Sequence, residues 1–285
     1  MRVTSAMAWL LVAILTIPAA PGARAADGVL PWAVYYAAEA PPPTFYGYDL
    51  VIFEPDRHPP IEPLVDRGKK VLGYLSLGEV NEGRPYFAEI KDAGLLLGEN
   101  ANWKGSYFVD VRDPRWTRRV IDELVPAILR RGFHGIFMDT LDNPGHLERL
   151  DAKANAGMVE AAARLVRALR RNFPRMTIVL NRGYDLLPAV ERDIDMVLGE
   201  SVFTDYNFDA KRYERVDDQT YRQQVDLLQA AARRQPKLKV LTLDYWDPGD
   251  PKGIAEVYRV QQENGFHPYV ATVDLDRVVP RPSVP

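Results

Sequence analysis

The chain has 285 residues and no cysteine. A disulfide scaffold is therefore excluded, and the fold must be held by its hydrophobic core. Histidine is scarce as well, since only His58, His134, His146 and His267 occur. These four are too scattered for the ligand spacing of a zinc site. No glycine-rich phosphate loop follows the first apolar segment, which argues against a dinucleotide-binding sheet. We therefore expect neither a metal nor a cofactor.

Long apolar runs are also missing, except for one near the N-terminus. Three features are typical of a secretory signal peptide: Arg2, the apolar stretch Ala8–Ala19, and the Ala-x-Ala-like site Ala23–Ala25. The stretch is shorter than the roughly 20 residues that span a membrane, which disfavours the alternative of an uncleaved anchor. We predict a signal peptide over residues 1–25, a secreted or periplasmic mature chain, and no stable membrane association.

The charge of the mature chain is modest. Residues 1–25 contain two arginines and no acid, so cleavage moves the formal net charge from −3 to −5 and leaves 260 residues. Nucleic-acid binding needs a basic surface, and we expect no nucleic-acid partner. No linker-like stretch divides residues 26–285, which predicts one domain.

Eight short apolar segments have the composition of buried parallel strands. They are Trp32–Tyr36, Leu50–Phe53, Val71–Leu77, Gly135–Met138, Thr177–Leu180, Met196–Leu198, Val240–Leu243 and Tyr269–Val273. Helical patterns lie between them at Arg115–Arg131, Ala152–Phe173, Leu186–Arg192, Asp218–Arg234 and Pro251–Asn264. This α/β alternation predicts a single (β/α)8 TIM-type barrel, with a doubly wound open sheet as the alternative. Ser106–Val111, in the third connection, is predicted to be a short strand at the barrel mouth.

Polar side chains follow most of the predicted strands, where the active site of such a barrel forms. Two carboxylates, Asp139 and Glu200, close apolar strands, and a charge is costly in that position because burial removes its water. The pair predicts the chemistry of glycoside hydrolysis. The alternative is that both residues cap strand ends or pair with arginines such as Arg112 or Arg182.

Other polar and aromatic residues of the strand ends are candidates for substrate binding, because aromatic faces stack on sugar rings and carboxylates or amides bind hydroxyl and amino groups. They are Tyr36, Glu54, Tyr74, Glu79, Asp110, Asp142, Asn181, Arg182, Tyr206, Asp244 and Trp246.

Four of these candidates have a second interpretation. Glu79 and Asp110 accept hydrogen bonds from a sugar or form ion pairs within the protein. Asp142 binds a substrate amine or caps a helix, and Asn181 binds a hydroxyl or caps the backbone. The acidic segment Asp244–Asp250 lacks the spacing of a calcium loop and predicts a turn.

Five segments together resemble glycoside hydrolase family 114, the endo-α-1,4-polygalactosaminidase family related to the hydrolase domain of Pel-polysaccharide enzymes. They are Lys69–Glu79, Asn102–Pro114, Arg131–Asp142, Asn181–Tyr184 and Glu200–Thr204. The resemblance extends over about Trp32 to Asp274, and several motifs agreeing in order are more specific than one short pattern. It implies a (β/α)8 barrel, endo-cleavage of galactosamine-containing exopolysaccharide, and catalysis by Asp139 and Glu200.

The resemblance and the chemistry lead to one main hypothesis and two alternatives. The main hypothesis is a retaining endo-glycosidase of an amino-sugar polymer, with Asp139 as nucleophile and Glu200 as acid/base. The alternatives are a glycosidase of a different glycan and a non-catalytic carbohydrate-binding barrel.

Overall fold

The computed structural model describes residues 28–282, so the predicted signal peptide lies outside the described residues. The described part of the chain forms thirteen strands: β1 (Trp32–Tyr35), β2 (Leu50–Phe53), β3 (Lys70–Ser76), β4 (Glu79–Asn81), β5 (Leu96–Glu99), β6 (Ser106–Val109), β7 (Gly135–Asp139), β8 (Thr177–Asn181), β9 (Met196–Glu200), β10 (Thr204–Asn207), β11 (Arg212–Arg215), β12 (Lys239–Tyr245) and β13 (His267–Ala271).

The α-helices of the same residues are α1 (Glu62–Val65), α2 (Phe87–Asp92), α3 (Pro114–Arg119), α4 (Val125–Arg130), α5 (Asn143–Leu150), α6 (Met158–Asn172), α7 (Leu187–Val190), α8 (Asp218–Arg234) and α9 (Pro251–Glu263). A 3₁₀ helix covers Pro42–Phe45, and a π-helical turn over Val120–Leu124 joins α3 to α4.

Eight parallel strands form a nearly closed barrel in the order β1-β2-β3-β7-β8-β9-β12-β13. The first and last strands approach each other without a regular ladder. Their seam is closed by the indole nitrogen of Trp32, which donates to the carbonyl of His267 (2.8 Å), and by the amide of Tyr36, which donates to the carbonyl of Leu275 (2.8 Å). The predicted TIM-type barrel is therefore confirmed.

The barrel strands are buried on both faces, which explains why they appear in the sequence as continuous apolar runs. The helices cover the outer face. In α6 the predicted apolar stripe is buried, since Met158, Ala162, Leu165, Val166 and Leu169 are all fully inaccessible to solvent. Each large apolar side chain buried in this way contributes about 1.5–3 kcal/mol to folding. This packing fixes the strand ends in space.

Two additional elements extend from the end of the barrel where the strands terminate. The antiparallel sheet β4-β6-β5 lies in the connection after β3, and the hairpin β10–β11 lies in the connection after β9. The predicted loop strand at Ser106–Val111 is confirmed as β6, which is shorter by two residues. Its two partner strands and the hairpin were not predicted.

Two predicted helices differ from those observed, each for a local reason. The helix predicted to start at Ala152 starts at Met158, because the Asp151 carboxylate accepts hydrogen bonds from the amides of Lys153 and Ala154 and holds a turn instead. The helix predicted over Arg115–Arg131 is interrupted by the π-helical turn that precedes Pro126, whose ring nitrogen has no hydrogen to donate.

Between residues 28 and 282 no helix combines the length and apolarity needed to span a membrane. Within the same range, no group of three or more His, Asp or Glu side chains is placed to hold a metal ion.

Candidate active site

The two acids predicted to be catalytic lie at neighbouring strand ends. Asp139 is the last residue of β7 and Glu200 is the last residue of β9, with β8 between them. Successive side chains of a strand point to opposite faces, and both residues lie on the face directed into the barrel mouth. The fold therefore brings together two carboxylates that are 61 positions apart in the chain.

Asn181, the last residue of β8, connects the two acids. Its side-chain nitrogen donates to Asp139 Oδ1 at 2.9 Å and to Glu200 Oε2 at 2.7 Å. These two carboxylate oxygens therefore lie no farther apart than the two bonds laid end to end, about 5.6 Å. The alternative role of backbone capping is not observed, because the side-chain nitrogen of Asn181 bonds to the two carboxylates. Asn181 is a buried bridge between the acids.

Tyrosines hold the remaining oxygens of the pair. Tyr74 Oη donates to Asp139 Oδ2 at 2.8 Å, and Tyr245 Oη donates to Glu200 Oε1 at 2.5 Å. The ring of Tyr36 packs edge-on against that of Tyr74, with 5.3 Å between centroids. Each carboxylate therefore accepts one amide and one phenol hydrogen bond, which fixes both acids in one orientation.

Burial raises the pKa of both acids. For Asp139, hydrogen bonds from Asn181, Tyr74 and the Thr140 backbone oppose this rise of the pKa. For Glu200, the charge of Asp139 raises the pKa further. Hydrogen bonds from Tyr245 and Asn181 oppose the rise at Glu200. A raised pKa favours the proton-holding role that one acid of such a pair must take.

The backbone turns sharply just after each of these three strand ends. The following residues are left-handed, with φ of 64° at Thr140, 51° at Arg182 and 53° at Ser201. This conformation costs a non-glycine residue about 1–2 kcal/mol, and such strain concentrates at functional sites. Thr140 is held in it by its hydroxyl, which accepts a hydrogen bond from the amide of Gly78 (2.8 Å) and contacts the Ser76 hydroxyl (2.8 Å). The turns end the strands and leave the acids at the mouth.

Glu79 lies beside the pair and is held by amides. Its Oε2 accepts hydrogen bonds from the side chains of Asn100 (2.9 Å) and Asn143 (3.2 Å), and the residue is 9% exposed. Burial raises its pKa, and the charges of Asp139 and Asp142 add to the rise. In the described part of the chain no Lys or Arg nitrogen lies within 4.0 Å of this carboxylate, so the alternative of an internal ion pair is wrong.

Two other predicted sugar-binding acids form ion pairs within the protein. Glu54 makes a two-pronged pair with Arg84, at 2.8 and 2.9 Å. Asp110 makes a similar pair with Arg112, at 2.8 and 2.9 Å, and this pair holds the pKa of Asp110 below its usual value. For Asp110, the sequence left open a hydrogen bond to a sugar or an ion pair within the protein, and the ion pair is observed. Carboxylates engaged in this way are structural supports of the mouth.

Three predicted site residues lie at the rim of the barrel mouth, namely Asp142, Arg182 and Tyr206. Asp142 is the residue before α5, but its side chain makes no capping hydrogen bond, so the alternative of a helix cap is wrong. Its carboxylate lies 3.9 Å from the Nε of Arg182, and both side chains are nearly half exposed. Tyr206 lies on the hairpin β10–β11 and packs edge-on against Tyr213 with 5.0 Å between centroids.

Asp244 and Trp246 lie away from the acids. Asp244 has no exposed surface, and its carboxylate accepts hydrogen bonds from the amides of Phe203 and Thr204 and from Gln261 of α9. The prediction that Asp244 binds substrate is therefore wrong, because this carboxylate anchors the chain after β9. Trp246 donates to Asp250 at 3.0 Å, at the start of α9.

The prediction missed Tyr245, the phenol that holds Glu200. It stands between the two residues that were chosen, and successive residues of β12 face opposite sides. The available signal was this alternation, which places Tyr245 on the same face of β12 as Leu241 and Leu243. Asn100 and Arg84, in the connection after β3, and Asn143, at the start of α5, were missed because nothing in their local sequence shows that the fold brings them to Glu79 and Glu54.

Solved structures similar to the chain include carbohydrate-active enzymes. The glycoside hydrolase domain of PelA from Pseudomonas aeruginosa is 25% identical, with a TM-score of 0.76 over 87% of this chain and 97% of that domain. Aspergillus fumigatus Ega3, solved in complex with galactosamine, is 16% identical, with a TM-score of 0.68 over 90% of this chain and 96% of that one.

A more distant barrel is the α-galactosidase TtGalA from Thermus thermophilus, solved in complex with stachyose. It is 13% identical, with a TM-score of 0.54 over 87% of this chain and 62% of that one. At this identity the likeness concerns the fold alone.

A search of curated protein sequences finds no match. The model of glycoside-hydrolase family GH114, in contrast, matches residues 18–284, nearly the whole chain. Together with the likeness to the PelA hydrolase domain and the bridged carboxylates at the barrel mouth, this match shows that the chain is a glycoside hydrolase and belongs to family GH114.

Proposed function

We propose that this protein is an exported, endo-acting hydrolase of α-1,4-linked galactosamine or N-acetylgalactosamine polysaccharide that retains the anomeric configuration. The observation that carries the proposal is the pair Asp139 and Glu200, bridged by one amide group. The substrate class is supported by the similarity to the PelA hydrolase domain and to Ega3, which was solved with galactosamine.

The separation of the acids supports retention. Retaining glycosidases hold their two carboxyl groups about 5–5.5 Å apart, whereas inverting enzymes need about 6.5–9.5 Å to admit a water molecule. The bound of about 5.6 Å that Asn181 sets on the nearest oxygens fits the first geometry.

In the first step Asp139, ionised, attacks the anomeric carbon while Glu200 gives its proton to the leaving glycosidic oxygen. The bond to the leaving sugar breaks and a glycosyl ester of Asp139 forms. In the second step Glu200 takes a proton from water, which attacks the same carbon and releases Asp139. This assignment of the roles is supported by the charge of Asp139, which in its ionised form raises the pKa of Glu200 and so favours the proton there.

The surroundings of Glu79 support the proposal of an amino-sugar substrate. Both of its hydrogen bonds reach Oε2, while Oε1 has no hydrogen-bonding partner among residues 28–282. A carboxylate without a cationic partner, beside the catalytic pair, favours a substrate unit that carries a protonated amine. Asp142, at the exposed rim, adds negative charge on the same side.

The test is the release of reducing ends by the mature protein from α-1,4-linked galactosamine polymers of graded acetylation and from unrelated glycans. We expect oligosaccharide products from the galactosamine polymers and a loss of at least about 10³-fold in Asp139→Asn and Glu200→Gln. Asp218→Asn and Glu263→Gln, which change exposed carboxylates on outer helices, are the matched controls. Cleavage of another glycan alone would contradict the proposed substrate, and full activity in either site variant would contradict the mechanism.

A further inference from the structure

Two large aromatic side chains stay exposed at the mouth of the barrel and contact each other. Trp103 is 58% exposed and Phe208 is 60% exposed, and their rings meet at 87° with 6.1 Å between centroids. The other exposed large apolar side chains of the described residues are Val65, Leu150 and Leu227, which are aliphatic. We call the contacting pair of Trp103 and Phe208 the aromatic bridge.

The bridge joins loop elements from different parts of the barrel. Trp103 lies in the turn between β5 and β6, in the connection after β3, and Phe208 lies in the turn between β10 and β11, after β9. In the barrel, β3 and β9 flank β7 and β8, whose ends carry Asp139 and Asn181. The bridge therefore links the two loop elements on either side of the catalytic strand ends.

The two turns that carry the aromatic bridge are each held by hydrogen bonds or packing of their own. The amide of Trp103 donates to the carbonyl of Asn100 (3.1 Å), whose side chain in turn holds Glu79. On the other side Phe208 packs edge-on against Tyr206, with 5.2 Å between centroids. The two rings are thus presented by elements that also shape the site.

Core packing does not explain these rings. Burying an aromatic side chain of this size contributes about 1.5–3 kcal/mol, and both rings give up most of that gain by remaining more than half exposed. Exposed aromatic faces bind sugars, because the C–H surface of a pyranose stacks on the ring, and a protonated amine is attracted to the same face.

We propose that the aromatic bridge is a sugar-binding subsite that stacks an amino-sugar unit of the polymer at a distance from the bond being cleaved. This inference rests on the proposed polysaccharide substrate and assigns two residues that lie outside the catalytic pair. Such a subsite holds long chains across the mouth and contributes little to a substrate too short to reach it.

The first test measures the hydrolysis of two substrates, an α-1,4-galactosamine polymer and the corresponding trimer. The enzymes compared are Trp103→Ala, Phe208→Ala and the double variant. Each single change is expected to raise KM for the polymer about 2- to 10-fold, with kcat on the polymer and kcat/KM on the trimer unchanged. Trp103→Phe, which keeps an aromatic face, should restore most of the affinity. Leu227→Ala removes an exposed apolar side chain of α8 and is the control. An unchanged KM for the polymer, or an equal loss on trimer and polymer, would overturn the subsite.

A binding measurement keeps this inference separate from the proposed function. The dissociation constant of the polymer is measured by calorimetry for Asp139→Asn, with and without Trp103→Ala. Weaker binding in the double variant supports the subsite even if the wild type cleaves no galactosamine polymer. Equal binding overturns the subsite while leaving the proposed function in place, and no binding in either variant overturns both.

Discussion

Replacing Asn181 by leucine removes the amide that bridges the two proposed catalytic acids while keeping nearly the same volume. Two charge-assisted hydrogen bonds are lost, of 2.9 Å to Asp139 and 2.7 Å to Glu200. Such a bond stabilises the ionised form of its acceptor by about 1.5–3 kcal/mol. One pKa unit corresponds to about 1.4 kcal/mol, so each acid should gain about 1–2 units. The sign is upward for both, because the lost donors favour the ionised forms.

The assay is the pH dependence of kcat/KM, measured as reducing-end release. The wild type should give a bell whose acid limb reports the ionisation of Asp139 and whose basic limb reports that of Glu200. In Asn181→Leu both limbs should move to higher pH by about 1–2 units, with the bell otherwise intact. Asn172→Leu, which changes an exposed side chain of α6 bonded to a backbone carbonyl, should leave both limbs in place. A bell that keeps its position while its height falls, or moves to lower pH, would refute the reasoning.

Three further changes probe single contacts. Tyr245→Phe removes the phenol bonded to the proposed general acid, so the basic limb alone should move to higher pH; movement of the acid limb would exchange the assigned roles. In Gly78→Ala a Cβ would lie 2.0 Å from the carbonyl oxygen of Thr140, and urea unfolding should show a loss of about 1–3 kcal/mol that Gly47→Ala, in open space, does not show.

The third change concerns Asp244. Burial raises the pKa of this carboxyl from 3.8 to about 6. Since the folded state then binds the proton more tightly than the unfolded chain, Asp244 makes the free energy of unfolding fall by about 3 kcal/mol as pH rises from about 4 to 6. Other buried acids with a raised pKa add to this fall, so Asp244→Asn should reduce it by about 3 kcal/mol and not abolish it. A fall as large as that of the wild type would contradict the assignment.

The barrel and the positions of the two acids at its mouth follow from local sequence patterns. Eight apolar strands leave a periodic signal, and the two acids are marked because a carboxylate at the end of a buried strand is unusual. Strand limits differed by one or two residues, as for β13, which starts at His267 instead of Tyr269. These features depend on residues near each other in the chain.

The partners of the acids depend on residues far apart in the chain and were not predictable in the same way. The roles of Asn181 and Glu54 are set by strand order and by a loop sheet that brings Arg84 to the mouth. For Asp244, alternation along β12 shows only that it faces the side opposite Tyr245. Because the strand is buried on both faces, the fold is needed to show which of the two side chains points into the mouth. Ion pairing of Asp110 was weighed from the sequence, and its partner Arg112 is only two residues away. Ion pairing of Glu54 was not, because its partner Arg84 is 30 residues away and is brought near by the fold.

The most direct test of the account is the configuration of the first product released from an α-1,4-galactosamine polymer, followed by proton NMR before the anomers equilibrate. The proposed mechanism passes through a glycosyl ester of Asp139, formed by two acids whose bridged oxygens Asn181 keeps within about 5.6 Å. It predicts that the α anomer appears first and the β anomer follows by mutarotation. A product that first appears as the β anomer would contradict it.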